Sequence, residues 1–399
     1  MEIPEQKTNP ALTGPKSSII VFSLLLVLVV GLAGFVYFKS QDVDIRSINV
    51  KDLVKRGFTS YRQEAYSQKL SEIAYDPKEW LSINTYKGQI IKATKEGLSG
   101  LDKSGAELWK IPAGAINPMI KTAGQYMLLA DMGNKDFYII EGKEIKWNKK
   151  TDGNIINIDI SEGGHVSVIK EAKGYKGVVT VYNLQGNEFF SRSVAERYPV
   201  SSRVSPFGKQ VTIYSMDVSG IRVNSALEFT DMLGKPLSGK YSKDDNIFPS
   251  IWYLNDSYIA AVGDSGIVCL DKNGNEKWNR DFDGMKVCSS GIVPGKYIVA
   301  AVSDNNQSPV FSGGSSEVRI LNMSGQQNGT FQTEGEVRNL AVQNDTIAVN
   351  TGREVNFVNM KGKQVGKYIP RTEALKVFFL DRQEAAVLTR NSVDIVKVF

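Results

Sequence analysis

Residues 251–278 read IWYLNDSYIAAVGDSGIVCLDKNGNEKW. Ile251-Trp252-Tyr253 has the β-branched and aromatic content of a strand, and Asn255-Asp256 supplies turn dihedrals. Tyr258 to Val262 forms a second strand, and Gly263-Asp264-Ser265-Gly266 turns again. Ile267 to Leu270 is a third strand, Asp271-Lys272-Asn273-Gly274 a third turn, and Glu276-Lys277-Trp278 an outermost fourth strand. Four short strands joined by tight turns make one antiparallel sheet with two faces to bury.

The same signature recurs along the chain. A strand-like run meets a turn glycine at Gly105, Gly142, Gly186, Gly234, Gly274, Gly325 and Gly362, spaced 37 to 51 residues apart. A period of this length marks a repeat array whose units cannot bury their apolar faces alone. Trp109, Trp147 and Trp278 stand four or five residues past their glycines, where a flat ring fills the gap between the outer rims of adjacent sheets. Ala374 to Leu380, Glu384 to Leu388 and Val393 to Val398 give an eighth unit three strands and no fourth. The expected fold is all-β: an eight-bladed propeller over 80–399, with seven blades as the alternative, closed by a strand from the N-terminal side. Residues 43–50, which alternate as Val43, Ile45, Ile48 and Val50, are the expected closing strand.

Ile19 to Phe38 carries no charge over 20 residues. At 1.5 Å rise per residue it spans roughly 30 Å, the hydrocarbon thickness of a bilayer. The run exceeds the core of a cleavable signal peptide, and no small-residue cleavage site follows it, so it is expected to be an uncleaved single-pass helix. Residues 1–18 form a short tail whose Lys7 and Lys16 are offset by Glu2 and Glu5, while the amino terminus adds positive charge; the tail is expected in the cytoplasm and the body outside. Residues 39–79 are read as a juxtamembrane strand and an amphipathic helix; Phe58, Tyr61, Ala65, Tyr66, Leu70 and Ile73 recur at helical spacing and Asp76-Pro77 ends it. The net charge of +5 is spread without a basic block, which argues against nucleic acid as a partner.

At the Asp/Asn-x-x-Gly-x-x-x-Trp positions, best matched from Leu101-Asp102 to Trp109 and from Leu270-Asp271 to Trp278, the chain resembles the pyrroloquinoline-quinone-like propeller repeats. Its layout is similar to that of bacterial membrane proteins with one N-terminal helix before a propeller. The resemblance implies a propeller but carries no cofactor. Quinoprotein dehydrogenases of this fold use a disulfide of adjacent cysteines, whereas Cys269 and Cys288 lie 19 residues apart. These two thiols either bridge neighbouring blades or stay free.

Catalytic, metal-binding and cofactor-binding residues are not assigned. His165 is the only histidine and sits at the entry of a strand, which leaves no His-rich metal site. Asp271 to Gly274 and Asp304-Asn305-Asn306 have the composition of turns and lack the closing Glu of a calcium loop. Two loops are the expected partner contacts: Tyr241 to Pro249, with Asp244, Asp245 and Phe248, and Ser303 to Ser316, with Asp304, Asn305, Asn306 and Phe311. The expected role is a membrane-anchored extracytoplasmic scaffold that touches lipid through 19–38 and binds an envelope protein or polymer. The alternative is a hydrolase or lyase that uses paired carboxylates such as Asp244-Asp245 or Asp281 with Asp283 on a cell-envelope polymer.

Overall fold

A computed structural model describes residues 66–304 and 314–399. The expected tail, membrane helix and strand 43–50 lie outside those residues. Among the described residues no helix is long and apolar enough to cross a membrane.

Eight four-stranded antiparallel sheets follow one another. Blades I to VII occupy 82–111, 118–150, 155–194, 198–244, 250–281, 285–333 and 339–368, each with its strands paired in chain order. The first strands of successive blades lie side by side from I to IV and from V to VIII, blades IV and V meet through the Thr212 and Tyr253 hydroxyls, and the first strand of blade I also meets that of blade VIII. The sheets therefore close a ring around a central channel, and the seven-bladed alternative does not hold.

Blade VIII takes its first three strands from Lys376–Phe379, Glu384–Leu388 and Ser392–Lys397, and its outer strand from Lys69–Ala74. Closure by an N-terminal strand is thus observed, but residues 69–74 provide it in place of 43–50. This also corrects the amphipathic helix over its described part. Leu70 and Ile73 suggested a helical stripe, yet Leu70 is exposed and Ile73 is buried, as a strand requires. The open edge of the strand Ser392–Lys397 decides the matter, because it offers a full ladder of backbone partners that a local helix lacks.

The turn signature has a common chemistry. In six blades an Asp or Asn ends or directly follows the third strand and its side-chain Oδ1 accepts two backbone N–H groups, two and four residues on. Asp102 takes those of Ser104 and Ala106, Asp271 those of Asn273 and Asn275, and Asn359 those of Lys361 and Lys363. The glycine between adopts positive φ, +81° at Gly274, and a β-bulge follows. Blade II departs from this pattern: Glu141 and Glu144 flank a two-residue hairpin at Gly142.

These turns also join the blades. The Trp147 ring lies against Gly186 of the next blade and its Nε1 donates to the Leu184 carbonyl at 2.9 Å. Trp278 repeats this on Gly325 and the Met323 carbonyl, and Phe190 meets Gly234. In blades IV and VI a glycine of the outer strand makes this contact in place of a ring: Gly239 and Gly329 sit so close to the backbone of the next turn that any side chain would clash. Ile73 of the closing strand occupies the corresponding place against Gly105 of blade I. Trp109 differs; its ring covers Gly100 of its own blade and Nε1 donates to Gln89. The hairpin of blade II presents no Asx turn for it to dock on.

Candidate functional site: the loop face and the central funnel

Antiparallel order sorts the connections between two faces. The turns from first to second and from third to fourth strands emerge on one face; the loops from second to third strands and the links between blades emerge on the other. The first face is mostly tight turns. The second is a loop face, and it gathers exposed apolar side chains over blades III to V.

Tyr175 lies in the loop 171–176, Val218 and Ile221 in 218–223, and Ile247 in the link 245–249, and all are exposed. Tyr198 begins blade IV between them. Polar contacts tie these loops into one arc. Lys176 sits 4.4 Å over the Tyr198 ring and its Nζ meets the phenol oxygen at 3.0 Å. Arg197 Nη1 donates to the Asn224 carbonyl at 3.0 Å, the Asp245 N–H to the Val223 carbonyl at 2.9 Å, and Arg222 pairs with Asp245 at 3.2 Å. An apolar patch rimmed by polar groups is the usual appearance of an interaction site.

The expected contact residues divide. Asp244 accepts from the Asn224 side chain and Asp245 belongs to the arc, at positive φ of 52°. Phe248 is corrected to core: it is 3% exposed, packs edge-on to Tyr214 at 6.0 Å and donates its N–H to the Tyr214 hydroxyl. Its place in an otherwise polar link concealed that role. Asp304 ends a strand on the loop face, exposed; Asn305, Asn306 and Phe311 lie outside the described residues. Of the paired acids, the Asp283 N–H caps Asp281 in a turn, and neither pair lines the channel.

The channel itself widens into a funnel of about 650 Å³ lined by first-strand residues and by the turns that follow them. Lys121 of blade II reaches Asp159 of blade III at 2.7 Å and the Ile158 carbonyl at 2.9 Å. Arg203 of blade IV approaches Asp159 at 3.8 Å and lies 4.9 Å over the Trp252 ring, whose Nε1 donates to Ser290. Lys376 of blade VIII enters from across the ring, 4.9 Å from the Phe378 ring. Enclosure by the walls pulls the Lys376 ammonium below its ordinary pKa even though water reaches it. None of these residues was singled out from sequence. The available signal was a charge within the first strand of a repeat, but only ring closure brings those charges together.

Neither thiol is set up as a nucleophile. Cys269 and Cys288 are both free. Burial raises Cys269 to about 11 and also raises Cys288, which lies 3.0 Å from the Ser303 hydroxyl. His165 is half-buried, stacked on Phe189 at 6.0 Å, and desolvation lowers its pKa. Among the described residues no three His, Cys, Asp or Glu side chains gather as metal ligands.

A model described as "Family of unknown function (DUF5711)" matches residues 55–398, and the chain belongs to that family. No curated protein matches it in sequence. Solved structures are similar in fold. Sqt1 of Saccharomyces cerevisiae superposes with a TM-score of 0.60 at 9% identity, over 84% of this chain and 99% of that one. The C-terminal WD40 domain of Sif2 gives 0.63 at 10%, over 84% and 99%. BamB from Moraxella catarrhalis gives 0.51 at 14%, over 84% and 98%. At these identities the likeness establishes the propeller and nothing finer.

Proposed function

We propose that this DUF5711 family member is a membrane-anchored, extracytoplasmic scaffold that docks a protein partner on its loop face. The apolar arc of Tyr175, Tyr198, Val218, Ile221 and Ile247 carries the reading. Side chains of this kind gain about 25 cal/mol for each Å² removed from water, and aromatic anchors with a polar rim are what protein interfaces use. The apolar run 19–38 supports the anchor, and Lys7 and Lys16 in the tail before it, although matched by Glu2 and Glu5, support an external body because acidic residues weigh little in setting orientation. The aromatic-on-glycine contacts of Trp147 and Trp278 support kinship with quinoprotein-type repeats.

The test is site-specific photocrosslinking in native membranes followed by mass spectrometry. A photoreactive side chain at Ile221 is expected to capture one reproducible envelope protein. The same probe at Phe207, exposed on the opposite face, is expected to miss it. Capture of one protein set from both positions, or turnover of a wall polymer with no partner captured, overturns the reading.

A further inference from the structure

We infer that the central funnel is a binding site for a small oxyanionic ligand, a phosphate or carboxylate group held between Lys121, Arg203 and Lys376. The inference goes beyond the docking reading, since the funnel and the loop-face arc can each fail alone.

Three cations enter one cavity from blades II, IV and VIII. Asp159 is the sole carboxylate among the inward first-strand residues that line it, and it is already engaged by Lys121 and, more loosely, by Arg203. Glu162 stands in a turn at the mouth and pairs with none of the three. Lys376 has no carboxylate partner at all among the described residues; its one charge-stabilising neighbour is the Phe378 ring.

Lys376 is open to water on the channel wall with no carboxylate beside it, so its ammonium is free to take a charge-assisted contact from a ligand. Three cations against two carboxylates leave the wall with an excess of one positive charge, and an unbalanced cleft concentrates ions of the other sign. Arg203 supplies a planar donor fork braced on Trp252, which suits the oxygens of a phosphate or carboxylate. A volume of about 650 Å³ admits a small molecule or the acidic end of a larger one.

The experiment is calorimetric titration of the full-length chain in detergent at constant ionic strength, with pyrophosphate in one arm and citrate in the other. At least one anion is expected to bind saturably at one site, more weakly as salt rises. The arm that binds identifies the source of the oxyanion. Lys376→Met is expected to weaken binding about tenfold, the loss of one charge-assisted contact. Asp159→Asn removes the competing carboxylate and is expected to tighten it. Opposite signs for two substitutions in one cavity cannot arise from a general loss of structure, which circular dichroism checks in parallel. Absence of saturable binding in both arms, unchanged affinity in Lys376→Met, or equal weakening in both variants overturns the inference.

Discussion

Blades V and VIII have the same four-stranded sheet but complete it by different means. In blade V the third and fourth strands are joined by the Asx turn at Asp271, so the outer strand is held by its own chain. In blade VIII that covalent turn is missing and the outer strand comes from more than 300 residues away along the chain. A buried polar knot replaces the turn. Asp394, 1% exposed, receives Lys69 at 2.9 Å from the closing strand, the Tyr368 hydroxyl at 2.7 Å from blade VII and the Ser392 hydroxyl at 3.1 Å. Tyr75, just past the closing strand, donates to the Thr389 carbonyl at 2.8 Å. A local turn needs only the right residues in order. A seam between distant segments needs directional contacts that reject wrong registers, and a buried charge with three partners provides that selection.

The comparison breaks most directly at Asp394. Asp394→Ala leaves the buried Tyr368 hydroxyl without its acceptor and Lys69 with Glu72 alone, and is expected to cost about 3–5 kcal/mol in denaturant unfolding. Trp147→Ala empties an inter-blade wedge and removes an indole hydrogen bond, for about 3 kcal/mol by the same measurement. Asp271→Ala removes only the side-chain acceptor of a turn that the chain still closes, and about 1 kcal/mol is expected. A cost at Asp271 equal to that at Asp394 would erase the distinction between turn and seam.

Acid sharpens the same contrast. Burial raises the Asp271 pKa, but the N–H donors of Asn275 and Asn273 and the ammonium of Lys277 outweigh it, so the folded value falls to about 2. The unfolded chain titrates near 4, so this stabilisation is complete above pH 4 and fades as pH falls toward 2. Asp271→Asn is expected to flatten that part of the acid-stability profile.

The smallest effect is expected at Lys376, where the folded pKa is depressed. Between the folded value and the unfolded value near 10.4 the unfolded state binds more protons, so stability rises with pH there. Melting curves in alkaline buffers should show the rise in the wild type and lose it in Lys376→Met.

What the sequence reveals follows the range of the interactions. The turn motif is legible because an Asx side chain acts within four residues, so Asp102, Asp271 and Asn359 carry their meaning locally. The role of Trp147 and Trp278 is legible because it belongs to a repeat. Phe248 reads as a loop residue because nothing in 241–249 signals that Tyr214 waits beneath it. The strand Lys69–Ala74 reads as helix because its local spacing fits one, while its partner strand lies at the other end of the chain. The funnel is the least legible feature of all, since Lys121, Arg203 and Lys376 become neighbours only when the circle is complete.

Hydrogen–deuterium exchange across Ser392–Lys397 tests that completion most directly. If Lys69–Ala74 covers this strand, its amides on both edges are slow to exchange, and Asp394→Ala quickens those on the Lys69–Ala74 side first. Amides on that side exchanging as fast in the wild type as those of an open edge would contradict the closed ring.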